Sequence, residues 1–257
     1  AHAAPAVPTA TGTISPTATA TATATTAAPT ATGTVTPAAT STAVGPTATG
    51  TISSTSTMTV TPTPTGTQTG TGGCPAGWTC ADIGTTGAAG SESLSSGTWT
   101  VRGSGGDIWT TGDQFHFDWQ TLGGNGSAST RVISQTNTNA WAKAGVMLRG
   151  STAPSSPFYA ILVTPGNGIT VQYRATSGAA AVKAAQPAGA VPVYLKVTRA
   201  GTAFTAYTSS NGVSWTLVPG STITLSGLTG TLLAGLAVTS HNAGTICTVT
   251  FDTVAVG

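Results

Sequence analysis

The feature that most constrains this chain is a segregation. Residues 1–73 contain no Asp, Glu, Lys or Arg and no aromatic residue, so all fourteen charges and all fifteen aromatics fall in residues 74–257. The first segment instead holds 27 Thr, 8 Pro and 5 Ser. A stretch of this kind buries too little apolar surface to offset the entropy of ordering it, so it is not expected to fold alone. We therefore read 1–73 as an extended Thr/Ala/Pro-rich arm and 74–257 as one globular domain, long enough to build a core.

The arm is repetitive. PTATGTIS starts at Pro8, PTATGTVT at Pro29 and PTATGTIS again at Pro46. Three readings stay open: a flexible linker, a mucin-like stalk, and an assembly element. Thr-rich sequence with Pro is the composition of O-glycosylated stalks. The acceptor candidates are Thr9, Thr11, Thr13, Thr17, Thr19, Thr21, Thr23, Thr30, Thr32, Thr34, Thr36, Thr47, Thr49, Thr51, Thr61, Thr63 and Thr65. Fully extended, the arm reaches roughly 240 Å, against a radius of gyration of about 16 Å for the domain. TGTIS, TGTVT and MTVTPT alternate β-branched and small residues, a pattern suited to adding a strand to an exposed sheet edge of the next copy. Such a heterologous contact does not close and builds a filament.

Charge is sparse, at 5% of residues with a net +2, against about 25% in a typical domain. No basic patch emerges, which argues against nucleic acid and anionic membranes as partners. No apolar run approaches the roughly 18 residues of a membrane span. The opening AHAAPAVPTA reads as a mature secreted chain after removal of a signal peptide. Cys74 and Cys80 frame CPAGWTC, a tight loop that a disulfide would close; two free thiols or half a metal site are the alternatives. Cys247, in TICTVTF, reads as a buried free thiol in a core strand.

Residues 81–257 read as short strands throughout, some eleven to fourteen of them, with no helical stretch. Asn211-Gly212 is the strongest hairpin signal. Pro165-Gly166-Asn167-Gly168 and Arg199-Ala200-Gly201-Thr202 join two further pairs. This spacing implies an all-β, two-sheet antiparallel sandwich.

Five blocks carry a resemblance. They are GGDIWTTGDQFHFDWQ, TNTNAWAKAGVMLR, VTPGNGITVQYR, YLKVTRAGTAFTAYTSSNGVSWT and GLAVTSHNAGTICTVTFDTV. In this order they resemble the concanavalin A-like jelly rolls, in a family of unknown function found beside secreted bacterial carbohydrate-active enzymes. The resemblance covers roughly residues 80–257. It implies a lectin-like jelly roll and no agreed catalytic residues. Calcium is also an expectation of that resemblance, with Asp107, Asp113 and Asp252 as the carboxylates to test. No other cofactor is expected. SSNGVSW resembles a shortened Asp-box turn and reads as a folding element.

The chemistry is thin. Glycosidases need two carboxylates across one bond, and the domain has a single Glu, Glu92, and five Asp. Asp113 and Asp118, read as one strand, point to opposite faces. His116 and His241 read as hydrogen-bonded surface or edge histidines. Sugar binding is better founded. In AWAKAGVMLRG the alanines, Val146 and Leu148 share one face, while Trp141, Lys143, Gly145, Met147 and Arg149 share the other. An aromatic and polar platform of Trp141, Lys143 and Arg149, joined by Tyr194, Lys196 and Tyr207, would stack on pyranose rings. The plainer reading packs Trp141 under a loop.

The leading expectation is a non-catalytic extracellular structural protein, a glycosylated subunit assembled head-to-tail through its arm into a surface fibril. Its partners would be other copies of itself. The alternative is a carbohydrate-binding module or adhesin on a mucin-like stalk, with a polysaccharide as partner.

Overall fold

The structure, a computed structural model, describes residues 73–257. The repeats and the threonine acceptors of the arm lie outside the described residues. Among the described residues there is no helix, and so none long and apolar enough to cross a membrane.

Seventeen strands build the domain. In chain order they are β1 Thr79–Ile83, β2 Ser91–Ser95, β3 Thr98–Gly103, β4 Ile108–Trp109, β5 Gly112–Asp113, β6 Phe115–Gly123, β7 Gly126–Gln135, β8 Lys143–Arg149 and β9 Phe158–Thr164. Then follow β10 Gly168–Arg174, β11 Val182–Ala185, β12 Val193–Ala200, β13 Ala203–Ser209, β14 Thr216–Leu217, β15 Ile223–Thr224, β16 Thr231–Thr239 and β17 Cys247–Val256. One sheet runs β1-β6-β16-β8-β9-β10-β11 and the other β14-β13-β12-β7-β17-β3-β2, with β15 also on β13. All pairs are antiparallel, and β4-β5 form a separate ribbon. The expected two-sheet jelly-roll sandwich is what the chain forms.

Alternation places the core. Ala144, Val146 and Leu148 of β8 join Tyr159, Ile161 and Val163 of β9 between the sheets. They meet Val132, Leu195, Val197, Phe204, Val249 and Phe251 of the facing sheet. Cys247 is free and buried here, and burial pushes its thiol up to about 11. Cys74 and Cys80 form the expected disulfide, a bond that persists in oxidising compartments and fits an extracellular protein.

The outer face of the seven-stranded sheet carries a second apolar layer. Phe115, Phe117, Trp119, Met147, Phe158, Ala160 and Leu162 pack there with Ile108 of the ribbon. Phe117 and Trp119 stack at 5.2 Å between centroids. Covered on both faces, β8 and β9 are buried at every position, which explains their near-continuous apolar runs.

Two of the three expected turns form as read. Thr164 pairs with Gly168, whose φ of 74° suits glycine. Ala200 pairs with Ala203 across Gly201-Thr202. At Asn211-Gly212 the expectation needs correction. β13 and β14 do pair, Thr208 with Thr216, but Ser210–Trp215 all lie in the connection. Asn211 Oδ1 accepts from the amides of Val213 and Ser214, a side-chain turn that displaces the two-residue hairpin.

Candidate functional site

The outer face of the seven-stranded sheet divides into a sealed end and an open end. The sealed end centres on Asp113. Its Oδ2 accepts from Arg149 Nη1 at 2.5 Å and Arg174 Nη1 at 2.7 Å, and its Oδ1 from Arg174 Nη2 at 2.6 Å. All three side chains are wholly buried. The arginines also tie down loops. Arg149 Nε donates to the carbonyl of Ser151, and its Nη2 to those of Ala153 and Pro154. Arg174 Nη2 donates to the carbonyls of Trp109 and Thr110, and its Nε to that of Ala179. Burial holds Arg149 below the usual guanidinium range, with Asp113 opposing the shift.

The open end is a cavity of about 650 Å³ lined by Asp107, Trp109, Trp141, Lys143, Thr170, Gln172, Ala181, Val182, Lys183 and His241. That volume is typical of small-ligand sites. β8 brings Lys143, β10 brings Thr170 and Gln172, and β11 brings Lys183. The ribbon supplies Trp109, held by Arg174 on its carbonyl and by Gln172 Nε2 donating to the neighbouring Ile108 carbonyl. Trp141 follows a turn in which Asn139 Oδ1 accepts from its amide.

A polar cluster forms one side of the cavity. Lys143 Nζ donates to Asp107 Oδ1, which also accepts from the Ile108 amide at 2.7 Å. Burial lowers the Lys143 ammonium from its usual value, and Asp107 partly restores it. Lys143 Nζ lies 5.9 Å from the centre of the Trp141 ring. His241 Nδ1 is buried without a well-formed hydrogen bond and lies 3.3 Å from Asp107 Oδ2.

The four expected sugar contacts therefore separate. Trp141 and Lys143 line the cavity together. Arg149 shares their strand face, as the alternation requires, but is sealed in the Asp113 clamp and meets no solvent. Tyr194 belongs to β12 of the other sheet, where it lines a smaller cleft with Asn211, Gly212 and Trp215. Lys196 and Tyr207 lie in that sheet too, and Lys196 Nζ sits 4.1 Å from the centre of the Trp215 ring. The proposed platform joined faces of two different sheets. Trp109, Thr170, Gln172 and Lys183 were missed. Only the period-two pattern of GITVQYR could have brought Thr170 and Gln172 to the face of Lys143.

The calcium candidates are occupied by cations of the chain. Asp107 pairs with Lys143, Asp113 with two arginines, and Asp252 with Arg131 through both oxygens. Each carboxylate is already neutralised, so none is poised for calcium.

His116 also departs from expectation. It is 1% exposed and faces the interior beside Asp82, Glu92 and Asp118. Burial works against its imidazolium, but the contacts with Asp118, Asp82 and Glu92 outweigh burial and push it up to about 11. Burial raises Asp118, with His116 opposing. Asp113 and Asp118 sit on separate strands, β5 and β6.

No protein-family model matches the chain, and no curated protein matches it. Among solved structures, the chain is similar to a functionally unknown protein from Saccharomyces cerevisiae. The identity is 19%, covering 65% of this chain and 91% of that one, with a TM-score of 0.50. It also aligns with the carbohydrate-binding module CBM66 from Bacillus subtilis at 15% identity, over 70% of this chain and 94% of the module, with a TM-score of 0.45. LamAcat from Zobellia galactanivorans aligns at 10% identity, over 64% and 79%, with a TM-score of 0.42. At 19% identity the likeness to the yeast protein is one of fold.

Proposed function

We propose that the globular domain is a non-catalytic, secreted carbohydrate-binding module whose sugar site is the cavity at the open end of the seven-stranded sheet. The observation that carries this is the pairing of Trp109 and Trp141 with Lys143, Asp107, Gln172 and His241 around one 650 Å³ space. Indole faces suit the apolar faces of pyranose rings, while the amide, imidazole and ion pair suit hydroxyls. Asp107 is the sole carboxylate in the lining and is engaged by Lys143. Glycoside hydrolysis by the usual route needs two, so the cavity is read as a binding site.

The test is a glycan array followed by calorimetry on the best ligand. Wild type binds a pyranose-containing glycan, and Trp141→Ala weakens it at least about tenfold, roughly 1.4 kcal/mol, with unchanged melting temperature. A wild type that binds no glycan, or a Trp141→Ala protein that binds as well as wild type, overturns the reading.

A second reading, assembly through the arm, is favoured by a separate observation. Leu94, Val182 and Leu217 are exposed large apolar residues, and all three lie on the outermost strands β2, β11 and β14. Edges that carry no further strand among the described residues, with apolar side chains, invite strand addition, and the TGTIS and TGTVT segments of a neighbouring copy have the matching alternation. In this reading the threonines of the arm carry O-glycans and the copies form an extracellular fibril. Electron microscopy of the chain lacking residues 1–60 decides: fibrils that persist unchanged rule out the role of the arm. Intact mass of native material far above 25.0 kDa, with the excess mapping to residues 9–71, supports the glycans.

A further inference from the structure

The interior of the sandwich holds a group of residues that neither packing nor the cavity uses. Between β1, β2 and β6, at one margin of the two sheets, His116 is surrounded by three carboxylates. Its Nδ1 lies 2.8 Å from Asp82 Oδ1, and its Nε2 lies 3.0 Å from Glu92 Oε2 and 3.1 Å from Asp118 Oδ1. Asp118 is wholly buried, and neither of its oxygens has a hydrogen-bond partner. A buried carboxylate without a well-formed hydrogen bond is costly, and natural interiors pair such groups or give them a metal.

The two ring nitrogens play different parts. Asp82 is fixed before it meets the histidine, because the Gly90 amide contacts its oxygens at 3.2 and 3.0 Å. Gly90 itself is pressed onto the pair. A Cβ at that position would stand 2.1 Å from His116 Nδ1 and 2.6 Å from Asp82 Oδ1. The backbone thus closes over Nδ1 and aims its hydrogen at Asp82. This leaves Nε2 as the ring nitrogen that faces Glu92 and Asp118, and the one that would give up its proton on binding an ion. A carboxylate behind the Nδ1 of a histidine whose Nε2 faces further ligands is the recurring support of metal-bound imidazole. Ligand atoms in a shell of about 2.0–2.1 Å bonds lie about 3 Å apart, as Nε2 does from both carboxylates.

We propose that Glu92, His116 and Asp118 bind one divalent transition ion of the zinc class, with Asp82 as the positioning residue for the imidazole. One nitrogen and two carboxylate ligands suit zinc or manganese better than calcium, which takes oxygen ligands. The adjacent Cys74 and Cys80 are joined in the disulfide and supply no thiolate. Because Glu92 comes from the sheet opposite His116 and Asp118, the ion would tie the two sheets together at their margin.

The experiment uses the full chain. The chelator-treated protein is dialysed against zinc, its metal content measured, and its melting temperature compared with and without zinc. One zinc per chain and a clear rise in melting temperature are expected. Glu92→Gln and Asp118→Asn each weaken zinc at least about 100-fold, and Asp82→Asn about 10–100-fold. Asp107→Asn, in the sugar cavity, leaves zinc unchanged. Cobalt(II) substitution of wild type gives a visible spectrum of a bound, low-symmetry ion, a readout that survives if the variants fail to fold. Absence of stoichiometric metal in wild type overturns the proposal and leaves a cluster balanced by protons. So does zinc that binds Glu92→Gln and Asp118→Asn as tightly as wild type.

Discussion

Lys143 and Arg149 stand on the same face of the same strand, and each meets an aspartate. The resemblance ends there. Arg149 shares Asp113 with Arg174, beneath loops that both guanidiniums hold by their carbonyls. Lys143 shares Asp107 with the half-exposed His241 at the rim of a cavity. The difference lies in what folds over each end. At the sealed end the ribbon and the 150–157 loop descend onto the sheet. At the open end Trp109 of the ribbon and Trp141 line a cavity instead. One chemical motif therefore serves as a rivet in one place and as the wall of an open cavity in the other.

The contrast has measurable consequences. Asp113→Ala leaves two buried arginines uncompensated, and urea unfolding should register a loss of about 3–5 kcal/mol. Asp107→Ala leaves one buried ammonium, Lys143, unpaired beside the open cavity, where it can shed its proton, and should lose less, about 1–3 kcal/mol. Equal losses would mean that the two ends are built alike. Next in size, Met147→Ala opens a void in the outer apolar layer, expected to cost about 2–4 kcal/mol in the same assay. Glycan affinity should change less than about twofold, because Met147 does not line the cavity. A larger change would mean that the sealed layer sets the shape of the open end. The smallest effect is expected on the opposite sheet. Trp215→Ala removes the ring beside Tyr194 and should leave affinity for the cavity ligand within about twofold of wild type. A loss as large as that of Trp141→Ala would move the sugar site to β12 and β13.

Much of the scaffold was legible in the residues. Period-two alternation put Ala144, Val146 and Leu148 on one face and Lys143, Met147 and Arg149 on the other, and the structure keeps the two sets apart, the first between the sheets and Met147 in the outer layer. The turns at Pro165–Gly168 and Gly201-Thr202 also followed from local chemistry. Alternation assigns a side chain to a face, however, and not to a depth. Whether Arg149 meets water depends on the 150–157 loop and the ribbon, which arrive through long-range contacts. The same limit hid Tyr194, since no local signal says which of two sheets a strand joins. His116 was harder still. Flanked by two phenylalanines, it looked like an edge residue. Its partners Asp82 and Glu92 are 34 and 24 residues away in sequence, and SESLS, which delivers Glu92, lacks the β-branched residues that mark a strand. The cavity suffered similarly. Asp107 was noticed as a carboxylate, but its partner Lys143 lies 36 residues on.

Arg174 grips the 109–110 turn only by its carbonyls. The anchorage is thus indifferent to which side chains the turn carries, and Thr110 is exposed. A change of side chain at position 109 leaves that grip in place and removes only the packing of the Trp109 ring on the outer apolar layer. The shape of that wall of the cavity can then change while the buried arginines keep their hold on the backbone behind it.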